Sequence, residues 1–245
     1  MVLLSPPPGD SVRDGRHPGE CGAYLWITVR APRRVVATLS RMDTQRSGTG
    51  TPGILLLHGY GADGNDLAPI APMLPGTVLV PTAPDATPYG GRQWWGLDAA
   101  TKPGRALTAE DAIAEDHPDL GRAVSRIHAL IDELPEGPVL VAGFSQGAML
   151  ALSAGLTHPR VTAIVAMSGA LTRDAAAVVT SPRRILVAHG RQDPTVEFGA
   201  GEAAARLLAA AGHDVEFVPF EGGHGIPPQV LEALIAEVRA LAPQP

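Results

Sequence analysis

The chain has 245 residues, of which 45% are apolar and 18% charged; 19 Lys and Arg stand against 25 Asp and Glu, for a net charge of −6. That apolar share and low charge exclude a disordered, charge-rich chain, and the length fits one or two domains of roughly 100–200 residues. An acidic balance without clustered basic residues excludes the electrostatic footprint of a nucleic-acid binder and offers no basic patch to an anionic membrane.

In chain order, residues 1–22 are rich in Pro, Gly, Arg and Asp and lack periodicity, which predicts a mobile tail ahead of a single domain over 23–245. After the initial Met the chain opens on only three consecutive apolar residues, Val2-Leu3-Leu4, with no charge before them, short of the roughly 7–15 that a secretory signal uses. No run of about 18 apolar residues follows, so a cytoplasmic protein without a stable membrane anchor is expected. The single cysteine, Cys21, excludes an intramolecular disulfide, and with no basic neighbour in sequence it reads as an inert thiol. Residues 24–29 and 35–39 read as two strands with a turn between them, and 43–52 as a polar connection.

From residue 54 the rhythm changes. Wholly apolar runs at 54–57, 78–80, 139–142, 164–166 and 185–188, and a run at 215–218 that is apolar but for Glu216, alternate with helical patterns near 65–74, 109–134, 146–157, 199–211 and 228–241. In the last of these Leu231, Leu234, Ile235 and Val238 fall at i, i+3, i+4 and i+7. Apolar runs without alternation suit strands covered on both faces, so the chain reads as α/β: a mostly parallel central sheet with helices on both faces and antiparallel strands at its N-terminal edge. The stretch 84–108 breaks the rhythm as a long loop carrying the adjacent Trp94 and Trp95. Ligands of such sheets bind beyond the carboxyl ends of the strands, so chemistry is sought just after each apolar run.

Four motifs sit there. Gly143-Phe144-Ser145-Gln146-Gly147 is a G-x-S-x-G between a strand and a helix, the form of a nucleophile elbow: a serine on a turn tight enough to expose its Oγ above the sheet. A plain glycine-rich turn has the same letters. His58-Gly59-Tyr60-Gly61 follows an earlier strand, where an elbow serine needs a second oxyanion donor; the backbone N–H groups of Gln146 and Tyr60 are the candidates, with His58 as a loop-orienting residue. The chain lacks G-x-x-x-x-G-K-[ST], so this loop is not a phosphate loop of that type. Asp193 follows the 185–188 run and His224 follows 215–218, giving the order serine, acid, histidine that the elbow uses; Asp174 and Asp214 are the rival acids. An imidazole suits proton transfer near neutrality. His158 and His213 are isolated and no H-E-x-x-H spacing occurs, so no metal is expected.

The segments LLLHGYGADGNDL, VLVAGFSQGAMLAL, ILVAHGRQDPTV and EGGHGIPPQVL together resemble the phospholipase/carboxylesterase family of α/β-hydrolases, which includes bacterial carboxylesterases and acyl-protein thioesterases. The resemblance runs from about residue 54 to 241 and implies the α/β-hydrolase fold, with Ser145 as nucleophile, Asp193 as acid, His224 as base, and Tyr60 and Gln146 as oxyanion donors. The Arg92-Gln93-Trp94-Trp95 segment is similar to the family's tryptophan-containing loop, which implies Trp94 and Trp95 on the substrate side. It also implies a small-molecule ester substrate of short to medium acyl length and no cofactor, and leaves a homodimer open. A thioesterase or lysophospholipase for longer chains is the nearest rival, and a non-catalytic binding protein on the same fold the rival of another class. Residues 1–52 and 96–108 depart from the family pattern.

Overall fold

The structure is a computed structural model that describes residues 42–96, 113–114, 118–178 and 181–242. These all fall in the second of two compact units, residues 39–245. The tail expected over 1–22 and the strands expected at 24–29 and 35–39 lie outside the described residues, as does Cys21.

Eleven strands and six helices follow one another in the described chain. They are β1 (Thr44–Ser47), β2 (Gly53–Leu57), α1 (Gly64–Leu67) running into a 3-10 turn over Ala68–Met73, β3 (Thr77–Pro81), β4 (Asp85–Ala86), β5 (Arg92–Gln93) and β6 (Ile113–Ala114). Next come α2 (Leu120–Asp132), β7 (Val139–Phe144), α3 (Gln146–Thr157), β8 (Val161–Met167), β9 (Leu171–Thr172) and α4 (Arg173–Ala176). The chain closes with β10 (Arg184–Gly190), α5 (Phe198–Ala210), β11 (Asp214–Phe220) and α6 (Pro228–Leu241).

Seven strands form the central sheet in the order β1-β3-β2-β7-β8-β10-β11. All neighbours pair in parallel except β1, which runs antiparallel to β3 and forms the edge. The apolar runs are explained by two cores, one on each face. Leu55, Leu57, Val139 and Val141 pack with α2, α3 and α5, while Ile54, Leu56, Leu140 and Ala142 pack with α1 and α6. Successive strand residues point to opposite faces, so a strand buried twice has no polar positions to show.

The antiparallel edge expected of the N-terminal part is present, but β1 lies inside the stretch read as a connection. Its sequence, Thr-Gln-Arg-Ser, has no apolar position, and two of its four residues are exposed; an edge strand of this kind carries no hydrophobic signal. The helical pattern at 109–134 also shortens. Residues 113–114 pair with β9 and the helix begins only at Leu120. Pro118 stands just before it, and a residue ahead of proline is pushed out of helical conformation. The 84–108 loop contains a small hairpin, β4 with β5.

Chain order reverses between β2 and β7. From β2 the sheet grows one way to β3 and then β1; from β7 it grows the other way through β8, β10 and β11. A crevice opens beyond the carboxyl ends at such a reversal. The loop after β2 and the turn after β7, the first two sequence motifs, are therefore neighbours there.

Candidate active site

Ser145 joins β7 to α3 with φ 55° and ψ −118°, a conformation that a residue with a Cβ rarely adopts. The turn is held because its N–H donates to Met167 O at 2.9 Å, while its carbonyl accepts from Ala148 N at 2.9 Å and Met149 N at 3.2 Å. The flanking glycines are required by proximity. A Cβ on Gly143 would lie 2.0 Å from Gly147 O, and one on Gly147 would lie 2.1 Å from Leu57 O and 2.5 Å from His58 O. Strand, helix and the end of β2 touch backbone to backbone, which forces the serine outward.

The loop after β2 runs alongside. A Cβ on Gly59 would sit 3.2 Å from the Ser145 Cβ, which places the Gly59–Tyr60 peptide beside the serine. Here the buried His58 ring accepts the Ala83 N–H at Nε2, 3.0 Å away. Its proton is therefore on Nδ1, which donates to Gly59 O at 2.8 Å. That bond fixes the Gly59–Tyr60 peptide, and in a trans peptide the Tyr60 N–H points opposite to the held carbonyl.

Asp193 follows β10 with its carboxylate fully buried. Oδ1 accepts from Thr195 N at 2.8 Å and Val196 N at 2.9 Å, and Oδ2 accepts from His224 Nδ1 at 2.8 Å. Burial alone would raise the pKa of this carboxyl; the hydrogen bond from His224 and those from the Val196 and Thr195 amides outweigh it, and the net shift is downward. With Nδ1–H committed to Asp193, the Nε2 of His224 is left as a proton acceptor. The imidazole lies against the ring of Phe144, centroids 4.7 Å apart, and Phe144 immediately precedes Ser145.

Of the rival acids, Asp214 opens β11, at the end of the sheet opposite the motifs, and Asp174 lies in the short α4 after β9. His158 pairs with Asp132 at 3.2 Å, and His213 accepts the Arg183 N–H; both are structural. Among the described residues no group of three His, Cys, Asp or Glu could hold a metal ion, and no helix is long and apolar enough to cross a membrane.

The two tryptophans turn inward. Trp94 is 1% exposed and Trp95 4% exposed, and both belong to the core of α2, α3 and α5. Their segment nevertheless borders the site, because the Gln146 side chain binds its backbone: Trp94 N–H donates to Gln146 Oε1 at 3.0 Å, and Gln146 Nε2 donates to Trp95 O at 2.8 Å.

Two residues near the site carried no assignment in the sequence. Gln192 accepts the Gly222 N–H and donates to Glu221 at 2.7 Å, so it ties the Asp193 turn to the His224 loop. His189, fully buried, donates from Nε2 to Val196 O at 2.9 Å and faces Asp193 Oδ2 at 3.5 Å. Only its place in the same strand-end motif as Asp193 could have marked it.

The sequence model of the Phospholipase/Carboxylesterase family matches residues 45–241, from the edge strand to the last helix. The chain belongs to this family. It is 32% identical over 209 residues to a probable carboxylesterase SOBER1-like of Arabidopsis thaliana, covering 74% of this chain and 75% of that relative. It is 28% identical over 170 residues to acyl-protein thioesterase 1 of Neurospora crassa, covering 63% of this chain and 68% of the relative. Among solved structures, esterase PE8 superposes with a TM-score of 0.70 at 27% identity, over 82% of this chain and all of that one. This member of the phospholipase/carboxylesterase family is thus a carboxylic ester hydrolase with the α/β-hydrolase fold.

His58 and His189 of the esterase are buried and neutral when folded. Desolvation lowers the pKa of His58 and of His189, and hydrogen bonds do not restore it. An unfolded histidine titrates near 6.5, so the unfolded chain takes up more protons below that pH. The stability that these groups contribute is complete above about pH 6.5 and is lost as pH falls toward their folded values, at up to roughly 1.4 kcal/mol per pH unit for each. His128 and His213 shift in the same direction. Urea unfolding at pH 7.5 and pH 5.5 is expected to show the esterase less stable at pH 5.5 by about 1–3 kcal/mol. Equal or greater stability at pH 5.5 would show that these rings are protonated in the fold.

Proposed function

We propose that the esterase hydrolyses carboxylic esters of short to medium acyl length through Ser145, His224 and Asp193 as nucleophile, base and acid. One observation carries the reading. A serine is held at φ 55° on a strand–helix turn, next to a phenylalanine whose ring packs on an imidazole already bonded to a buried carboxylate.

The steps follow from these groups. Ser145 Oγ bonds to the ester carbonyl carbon as its proton passes to Nε2 of His224, and the carbonyl electron pair moves onto oxygen. Asp193 keeps the ring proton on Nδ1 and stabilises the imidazolium. The Gln146 and Tyr60 N–H groups receive the oxyanion, each such donor contributing about 2.7–4 kcal/mol. The C–O bond to the alcohol then breaks, the alcohol takes the proton from His224, and an acyl-serine remains. Water, deprotonated by the same imidazole, attacks it and releases the acid. No step needs a cofactor, and a cytoplasmic location fits a chain with a single cysteine.

A second reading, thioester hydrolysis on longer chains, is favoured by the likeness to the Neurospora thioesterase. Labelling by a fluorophosphonate at Ser145 tests the triad, and kcat/KM on p-nitrophenyl esters from acetate to palmitate, beside an acyl thioester, separates the readings. A maximum at palmitate, or a preference for the thioester, would favour the second.

We place the Trp94–Trp95 segment on the acyl side, Trp95 by contact, because the residue carrying one oxyanion N–H binds that segment's backbone. Trp95→Ala is expected to shift the ester series toward longer chains, by about 1–3 kcal/mol for each added methylene that the new space accepts. The variant should also melt lower, since truncating a buried tryptophan costs about 3–5 kcal/mol; an unchanged ester profile in the folded variant would remove Trp95 from the substrate site.

A further inference from the structure

The two N–H groups assigned to the oxyanion belong to segments far apart in sequence, one after β2 and the other at the start of α3. Their separation must be fixed before the substrate arrives, since donors that have to move into place contribute less. Trp94 bridges them. Its main-chain N–H donates to the Gln146 side chain at 3.0 Å, and its indole Nε1–H donates to His58 O at 2.8 Å. The indole lies beside the His58 imidazole, centroids 5.0 Å apart and planes 34° from parallel. That imidazole holds Gly59 O, in the peptide that carries the Tyr60 N–H. The hairpin strand β5, which leads directly into Trp94, is stitched to the same loop, for Gly61 N–H donates to Arg92 O and Arg92 N–H to Ala62 O, each at 2.9 Å.

The chemistry at each end is selective. Gln146 spends its one acceptor and one amide donor on the two sides of a single main-chain segment, Trp94 N–H and Trp95 O. A glutamate would set a carboxylate oxygen against a carbonyl. Phenylalanine at 94 would fill much of the same space, yet could not reach His58 O. Gln146 itself is 3% exposed, so its bonds are not in exchange with solvent.

We propose that Trp94 and the Gln146 side chain form a clasp that sets the distance between the two oxyanion N–H groups, which makes both positioning residues. The proposal rests on the oxyanion roles given to Tyr60 and Gln146 above. The residue after the nucleophile then acts twice, its main chain on the oxyanion and its side chain on the loop that supplies the other donor.

The test uses the full chain with Trp94→Phe, Gln146→Glu and the double variant. Four quantities are measured: kcat and KM on p-nitrophenyl butyrate, the affinity for an alkyl trifluoromethyl ketone, and the affinity for the amide analogue, which stays trigonal. Ser145 adds to the ketone carbonyl, its proton goes to His224, and the resulting oxyanion occupies the hole. If the clasp sets the hole, kcat and ketone affinity fall together by about 10–100-fold, because a displacement on the order of 1 Å costs about that much. KM and amide affinity stay within about twofold, and the double variant is no worse than the poorer single one, since both changes open one link. Kinetics and ketone affinity within twofold of wild type in a folded variant overturn the clasp, as do deficits that multiply in the double variant. Should Gln146→Glu fail to fold, Trp94→Phe decides alone. A wild-type chain that resists fluorophosphonate overturns the triad reading and the clasp with it; a labelled wild type with unaffected variants overturns the clasp only.

Discussion

Ser145→Ala is expected to lower kcat on p-nitrophenyl butyrate by about 10⁶, to the level left by substrate binding and the oxyanion donors. Without Oγ no acyl-enzyme forms, and His224 has no proton to take from the elbow. The fold should survive. The turn is held by main-chain bonds from Ser145 N–H to Met167 O and from Ala148 and Met149 to Ser145 O, none of which involves the hydroxyl. Alanine inherits the strained φ of 55° unchanged, so the melting temperature should stay within a few degrees of wild type. Ser145→Gly, equally inactive, should melt higher or unfold at more urea, because glycine takes positive φ without a Cβ penalty; strain of this kind costs about 1–3 kcal/mol. The pair separates loss of chemistry from loss of structure. Retention of more than about a tenth of wild-type turnover in the alanine variant would mean that another group is the nucleophile.

What was legible in the sequence follows from which physical signals a chain of letters carries. The elbow was legible because the chemistry needs small residues at fixed offsets: the contacts that Gly143 and Gly147 make leave no room for a Cβ, so the pattern is written in composition. Strands buried on both faces announce themselves as unbroken apolar runs and the amphipathic α6 by its periodicity, and α3 and α6 span the residues the pattern indicated. β1 did not, because an exposed four-residue edge strand is held by backbone pairing, which has no residue signature. Nor did the direction of the two tryptophans. Aromatic residues in a long loop suggest a ligand surface, yet the indole of Trp94 finds its polar partner in a main-chain carbonyl, His58 O, that no sequence pattern marks. His58 was assigned to orienting its loop; the tautomer that makes this concrete depends on the Ala83 N–H, which only the fold brings near.

Asp193, the acid of the proposed triad, has a similarly large expected effect, and its geometry says how the loss would arise. Asp193→Asn is expected to lower kcat by about 10⁴ with little change in KM. Oδ1 of Asp193 accepts two main-chain N–H groups, from Thr195 and Val196, so in the variant the amide oxygen keeps that place. The amide NH₂ must then occupy the position of Oδ2, which in the wild type accepts the His224 Nδ1–H at 2.8 Å. Two donors cannot face each other. His224 therefore moves its proton to Nε2 and accepts from the amide at Nδ1, and an Nε2 that carries a proton cannot take one from Ser145. His189 reinforces the misfit, since its Nε2–H faces the same carboxylate oxygen at 3.5 Å. Binding of the ester involves none of these groups, so the effect falls on kcat. Thermal stability should drop modestly, because the variant keeps both main-chain bonds while losing the charge-assisted bond to His224, worth about 1.5–3 kcal/mol. Asp174→Asn is the control: it lies on α4 and should leave kcat unchanged. If Asp193→Asn kept kcat within tenfold of wild type while Asp174→Asn lost it, the acid of this esterase would be Asp174, and the Asp193–His224 bond would serve only to close the turn after β10.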